Sequence, residues 1–181
     1  VYGSIREFRE QQSSWLEDYA LFMALKSHYN SSCWLDWPTK YRNYDTAHSF
    51  ERTQELEDAI DAQVFYQYLF HEQFQRLHSY CELNGIKIMG DIPIFVSLDS
   101  SDVWSNRELF QLKKNGEPMS VAGVPPDYFS VDGQLWGNPL YYWPAHINND
   151  FSWWLERIGN NLNIYDIARL DHFRGFESYW S

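Results

Sequence analysis

An α/β fold is predicted by three features of this 181-residue sequence: two long stretches of helical apolar spacing, two short β-rich runs that each follow a helix, and charged residues directly after both runs. From Ile5 onward, apolar residues recur at Phe8, Trp15, Leu16, Tyr19, Phe22, Met23 and Leu25. They fall on one side of a 3.6-residue period, which predicts a helix over Ser4 to Tyr29. Residues 30–46 (NSSCWLDWPTKYRNYDT) carry Pro38, several Ser and Asn and no sustained period, and read as a loop. A second stripe, from Leu56 through Ile60, Val64, Tyr68, Leu69, Phe74 and Leu77 to Cys81, predicts a helix from about Phe50 to Leu83 with this stripe in the core. Asn84-Gly85 stops it as a left-handed cap would, and the acidic residues between Glu55 and Asp61 read as a solvated face. IKIMGDIPIFV follows directly and reads as a buried parallel strand. Residues 97–150 hold most of the proline and only a short helical candidate at Asp102 to Phe110. A connection that long within a compact domain is usually functional, so a substrate loop is expected there. Ser152 to Leu162 then reads as a helix, and IYDIARLDHF as a strand ending in charge. There is no internal repeat and no low-complexity segment.

Composition narrows the function. A hydrophobic content of 44% is enough for one domain with a substantial core. With 9 Trp, 13 Tyr and 12 Phe, the rings must fill that core or line a stacking surface, and flat, partly polar rings suit sugar faces. The net charge of -11 excludes a nucleic-acid partner, which needs clustered Lys and Arg, and disfavours an anionic membrane. Cys33 and Cys81 stand far apart, and His28, His48, His71 and His78 are scattered without ligand spacing, so neither a disulfide framework nor a metal site is indicated. That cysteine usage, the lack of any apolar run of membrane-spanning length and the absence of a signal-peptide apolar core in VYGSIREFRE lead to a cytoplasmic expectation.

Where strands of an α/β fold end C-terminally, loops converge, and charged residues there are the catalytic candidates. Asp91 qualifies after IKIMG, and Arg169, Asp171, His172 and Arg174 qualify after YDIA. Arg169 and Asp171 are two apart and point the same way if the strand continues through them. An Arg beside a carboxylate holds it ionised and oriented. A carboxylate held anionic in a cleft can attack a sugar carbon and stabilise an oxocarbenium-like transition state, with His172 and Arg174 placed to bind hydroxyls. The same spacing also fits a structural ion pair at a strand end, and Asp91 before Ile92-Pro93 also fits a turn cap. GVPPDYFSVDGQLWGNPLYYW, residues 123–143, joins a rigid Pro-Pro to interleaved aromatics. Tyr128, Phe129 and Trp136 suit a low-entropy platform for glucose rings, whereas burial against the core accounts for Tyr141, Tyr142 and Trp143.

Together, GDIPIFVSLDSSDVW, VAGVPPDYFSVDGQLWGNPLY and ARLDHFRGFESYW, with WLEDYALFMALK ahead of them, strongly resemble the amylomaltase family, glycoside hydrolase family 77. The resemblance covers nearly the whole chain. It implies a (β/α)8 barrel with inserted loops and subdomains, present here as a partial barrel within one catalytic domain over residues 1–181. It further implies a retaining double displacement that moves α-1,4-glucan segments between maltooligosaccharide or starch-type acceptors, with no cofactor and no metal. In that resemblance Asp171 falls on the nucleophile, Arg169 on its supporting Arg and Asp91 on an acidic residue near the glucose being cleaved. Asp127, Tyr128 and Phe129 of the PPDYFS loop, Trp136 and His172 fall on glucan-contacting positions. The family's acid/base lies on a later strand, outside these 181 residues, and Glu177 is a poor substitute because FRGFE does not match the acid/base segment. The chain alone is therefore expected to lack transferase activity and to present open sheet edges. A hydrolase or branching-type enzyme of the α-amylase clan, or a non-catalytic glucan-binding piece, remains an alternative.

Overall fold

The computed structural model describes residues 3–128 and 130–177. The chain forms two compact units, Val1–Tyr80 with Asp99–Ser105, and Cys81–Leu98 with Asn106–Ser181. It is an α/β structure.

The first unit is helical. The helix expected over Ser4 to Tyr29 is two helices, α1 (Ile5–Gln11) and α2 (Leu16–His28). The break is a turn over residues 12–15, which holds the poor helix formers Ser13 and Ser14 and in which the Trp15 indole N–H donates to the Gln12 side chain at 2.9 Å. The segment read as loop holds a single 3-10 turn at Trp34–Asp36, then α3 (Thr39–Arg42) and α4 (Tyr44–Ser49), the latter capped by Asn43, which accepts from the Thr46 N–H at 3.0 Å. Each is too short to show a period in sequence. The long helix α5 runs from Gln54–Leu83, not from Phe50, and Gly85 caps it at φ 69° as expected. Its stripe is core only in the first half: Ile60, Val64 and Tyr68 are buried, whereas Leu77 is 52% exposed. Aromatic packing gathers on Trp104. Its ring is fully buried, meets Phe22, Trp37 and Tyr44 at centroid distances of 5.8, 6.2 and 5.3 Å, and donates to the Tyr41 carbonyl at 3.0 Å.

The second unit contains both sheets found among the described residues. Strand β1 (Met89–Ile92) is followed in the chain by α6 (Ser101–Ser105), the helix that carries Trp104. The supposed loop at 97–150 is largely ordered. Strands β2 (Val121–Val124) and β3 (Gln134–Pro139) pair antiparallel as a hairpin, and α7 (Trp143–Asn148) follows. Helix α8 (Ser152–Ile164) then leads into β4 (Ile167–Leu170), which pairs parallel with β1 in the register Asp91↔Arg169. Alternation in VAGV and QLWGNP is too short to separate from turn residues, which hides the hairpin in the sequence. The strand expected to be buried on both faces is covered on one only. Gly90 and Ile92 are buried beneath α8, while Met89 and Asp91 are exposed. A side chain at Gly90 would have its Cβ 2.1 Å from the Tyr165 ring, so this strand needs glycine for the close approach.

Tyr141 is the hub of this unit, buried against Phe95, Phe110, His146 and Trp154, and its hydroxyl donates to the Ile94 carbonyl at 2.6 Å. Tyr142 is 49% exposed and so does not anchor the loop as expected. His146 is fully buried. Its Nε2 lies 3.1 Å from the Leu109 carbonyl and must carry the proton, leaving Nδ1 an acceptor with no partner among the described residues. Burial pushes its pKa down, against smaller opposing effects of the Leu109 carbonyl and Glu108. The folded state therefore refuses a proton that the unfolded chain accepts below about pH 6.5. The thermal midpoint is expected to fall as pH drops from 7 towards 5, and the fall to shrink in His146→Gln, measured by differential scanning calorimetry across that range.

Candidate active site

The parallel pair β1 and β4 brings Asp91 and Arg169 side by side although 78 residues separate them. Arg169 meets Asp91 as a fork, Nε donating to Oδ1 at 3.1 Å and Nη2 to Oδ2 at 2.5 Å. The same Nη2 lies 3.6 Å from Oδ1 of Asp171. One guanidinium thus serves two carboxylates. Sequence spacing pairs Arg169 with Asp171; in the structure its hydrogen bonds go to Asp91, and Asp171 lies within ion-pair distance of the same guanidinium. Those bonds first, and its charge second, hold the Asp91 carboxyl below the usual carboxylate range. All three side chains are more than half exposed, so solvent screens the pairs.

Asp171 follows β4 and is tied to β1 by its backbone N–H, which donates to the Ile92 carbonyl at 3.0 Å. The next residue, His172, sits in the left-handed region at φ 48°, ψ 45°. A non-glycine residue held there is strained, and such strain gathers at functional sites. Gly175 makes the turn possible. Its N–H donates to the His172 carbonyl at 2.8 Å, and a Cβ on it would meet Ile94 Cδ1 at 2.7 Å.

Asp171 and His172 open onto a hollow of about 250 Å³ whose other walls are Pro93, Ile94, Phe95, Trp136 and Asn138. Trp136 packs edge-on against His172 at 5.0 Å and near Phe95 at 6.2 Å, leaving 38% of its surface open. A carboxylate beside exposed ring edges and an amide can meet both the hydroxyls and the apolar face of a sugar. Of the residues singled out in sequence, the structure thus brings Asp91, Arg169, Asp171, His172 and Trp136 together. It leaves Tyr128 at the hairpin tip, 97% exposed and not among the lining residues. Asp127 accepts from the Ser130 N–H at 2.9 Å and so has a turn to hold. Phe129 lies outside the described residues. No group of three or more His, Cys, Asp or Glu placed to hold a metal ion occurs among the described residues.

Sequence reasoning misses Phe95 and Asn138 in the walls and Arg157 behind them, whereas Tyr141 is buried as expected. Asn138 is legible, since it stands two residues from Trp136 in a strand and shares its face. Its Nδ2 donates to the Val96 carbonyl at 2.9 Å. Arg157 leaves a local signal only for its stacking on the Trp153 and Trp154 rings, four and three residues before it on α8, and none for its reach to β1. Its guanidinium lies over the rings of Trp153 and Trp154 and donates to the Pro93 carbonyl at 2.7 Å, 64 residues away.

A family model described as 4-alpha-glucanotransferase matches residues 2–181. A 4-alpha-glucanotransferase from Clostridium butyricum is 46% identical over 181 residues, 98% of this chain and 37% of its own length. One from Thermus thermophilus is 46% identical over 173 residues, 96% of this chain and 35% of its own. The solved structure of the amylomaltase from Streptococcus agalactiae in complex with acarbose aligns with a TM-score of 0.88 at 41% identity, covering 97% of this chain and 36% of that one. The chain therefore spans about a third of the length of these relatives.

Proposed function

The chain belongs to the 4-alpha-glucanotransferase family, glycoside hydrolase family 77, and from that premise we propose that it supplies the nucleophile side of an α-1,4-glucan transfer site. The observation that carries this reading is the opening of Asp171, beside the Arg169–Asp91 fork, into the hollow walled by Trp136, Phe95 and His172. We place β1 and β4 as two strands of a (β/α)8 barrel within one catalytic domain that takes in both units. Asp91, Arg169 and Asp171 then lie at the C-terminal rim where such barrels do their chemistry.

Asp171 attacks the anomeric carbon of a bound glucosyl unit, the bond to the 4-oxygen of the departing glucan breaks, and a β-glucosyl ester forms on the enzyme. The 4-hydroxyl of a second glucan then attacks the same carbon from the opposite face, restoring the α-linkage and freeing the carboxylate. The departing oxygen needs a proton. Asp91 is unsuited to give it, because Arg169 keeps it ionised. Its part is to accept hydrogen bonds from sugar hydroxyls and to stabilise positive charge on the ring. Among the described lining residues Asp171 is the single carboxylate, so the acid/base, about 5 Å from the nucleophile in a retaining enzyme, comes from elsewhere. His172 and Trp136 border the reacting sugar. Tyr128 and Asp127 belong to the hairpin tip, which contacts glucan further along, and Phe129, outside the described residues, is assigned to the same contact by the family resemblance alone. Substrates are maltooligosaccharides and starch-type glucans. A cytoplasmic setting agrees with the unpaired Cys33 and Cys81, and no helix among the described residues is long and apolar enough to cross a membrane.

The test grafts this chain in place of the matching third of the Streptococcus agalactiae amylomaltase. Given maltotriose, the hybrid is expected to make glucose together with longer oligosaccharides, while the 181-residue chain alone makes neither. Glucose and maltose alone would identify a hydrolase and sink the transferase reading.

A further inference from the structure

We infer that the first unit carries a second sugar-binding site, a pocket of about 540 Å³ built on Tyr29 and Tyr41, that takes a neutral α-1,4-glucan. Its choice of ligand rests on the proposed function; its existence as a site rests on the construction of the pocket.

That volume lies within the range of small-molecule sites, about 300–1,000 Å³. The floor is apolar, with buried Leu25 from α2 and half-buried Leu56 from the first turn of α5. The walls are the rings of Tyr29 and Tyr41, 5.9 Å apart and inclined at 51°, with His28 edge-on to Tyr29 at 4.8 Å. Two rings that meet at an angle form a corner that a curved α-glucan can follow, and stiff aromatics lose little entropy on binding. The rim is polar and of mixed sign, with the Lys40 ammonium and the Glu55 carboxylate among its groups. An anionic ligand would meet Glu55 and a cationic one Lys40. A hydroxyl-rich neutral ring can donate to the first and accept from the second.

The walls are held in place ahead of any ligand. Directly after Tyr29, Asn30 and Ser31 both adopt left-handed backbone, φ 52° and 60°, a conformation that non-glycine residues keep only when their surroundings enforce it. Lys26 enforces it. Its Nζ donates to the carbonyls of Ser31 at 2.9 Å and Ser32 at 2.8 Å and pairs with Asp99 at 2.6 Å. On the other side, the Tyr41 carbonyl accepts from the buried Trp104 indole, and Lys40 Nζ lies 4.4 Å over the Tyr41 ring. Burial, the first of the influences on the Tyr29 phenol, pushes its pKa up.

The full chain, labelled with 15N, is titrated with maltotriose to about 10 mM, where a Kd near 1 mM would give roughly nine-tenths occupancy. Amides at 24–29, 40–41 and 53–59 are expected to shift saturably, and the affinity read from them to fall at least about tenfold in Tyr41→Ala. Ser27→Arg, from an exposed rim position, fills the pocket without emptying the core and is expected to do the same. The proposal is overturned if these amides stay still in the wild type, or if their shifts persist in both variants. Amides at 94–95, 136–138 and 171–172 report separately on the Asp171 hollow. If they alone move, the second site fails and the proposed function stands; if only the Tyr29 set moves, the second site stands, and the Asp171 reading stands or falls with the activity of the hybrid.

Discussion

Asp171→Asn, in the hybrid amylomaltase carrying this chain, is expected to lower kcat for maltotriose disproportionation by on the order of 10⁵-fold while leaving the KM within about threefold. The two side chains have nearly the same size, and the position is exposed, so packing is untouched. What changes is the charge and the lone pair. A neutral amide neither attacks an anomeric carbon nor stabilises an oxocarbenium ion, and both functions fall on one residue in a double displacement. Trapping gives an independent readout. A fluorinated glucosyl donor slows the second step more than the first, so the glucosyl ester accumulates and its peptide can be sequenced. The label is expected on Asp171 and to be absent from the Asn variant. Activity within tenfold of the parent, or a label on another carboxylate, would remove Asp171 from the role.

How much of this is legible in the sequence differs from residue to residue, and distance along the chain explains why. Long elements announce themselves: α5 and α8 come close to their expected limits because several turns of apolar spacing average out single exceptions. Short elements do not, and α3, α4 and the β2–β3 hairpin read as loop. The catalytic candidates can be found because strand ends concentrate chemistry, a rule about topology that needs only the order of helices and strands. The partner of Arg169 cannot be found in that way. Asp171 is two residues off, Asp91 is 78, and only the parallel register decides that the fork faces Asp91. Arg157 is the extreme case. Its contacts with the Trp153 and Trp154 rings follow from i, i+4 and i, i+3 spacing within α8, but its bond to the Pro93 carbonyl exists because α8 packs on both strands, a fact of packing with no local trace. Half of the α5 stripe departs from expectation for a related reason: a helical period reveals which face is apolar, and burial depends on what packs there.

Arg169→Lys separates the geometry of the fork from its charge. Lysine keeps the positive charge but presents a single ammonium, which cannot donate to both oxygens of Asp91 from two nitrogens while one of them also faces Asp171. In the hybrid, the substitution is expected to lower kcat about 10²-fold, the scale of a catalytic group displaced by roughly an ångström. The thermal midpoint is expected to stay nearly unchanged, because pairs this exposed contribute little to folding. A large kinetic effect without a stability effect is the signature of a positioning cation, and a structural ion pair at a strand end would give the reverse. The pH dependence adds a sign. Arg169 holds the Asp91 pKa down, so a weaker donor lets it rise towards the ordinary carboxylate value. Asp91 then takes up its proton at higher pH, and the acid limb of the kcat profile should move upward in Arg169→Lys and further in Arg169→Met. An unchanged acid limb together with a lower thermal midpoint would show that the fork secures the strands and leaves the reacting sugar to other groups.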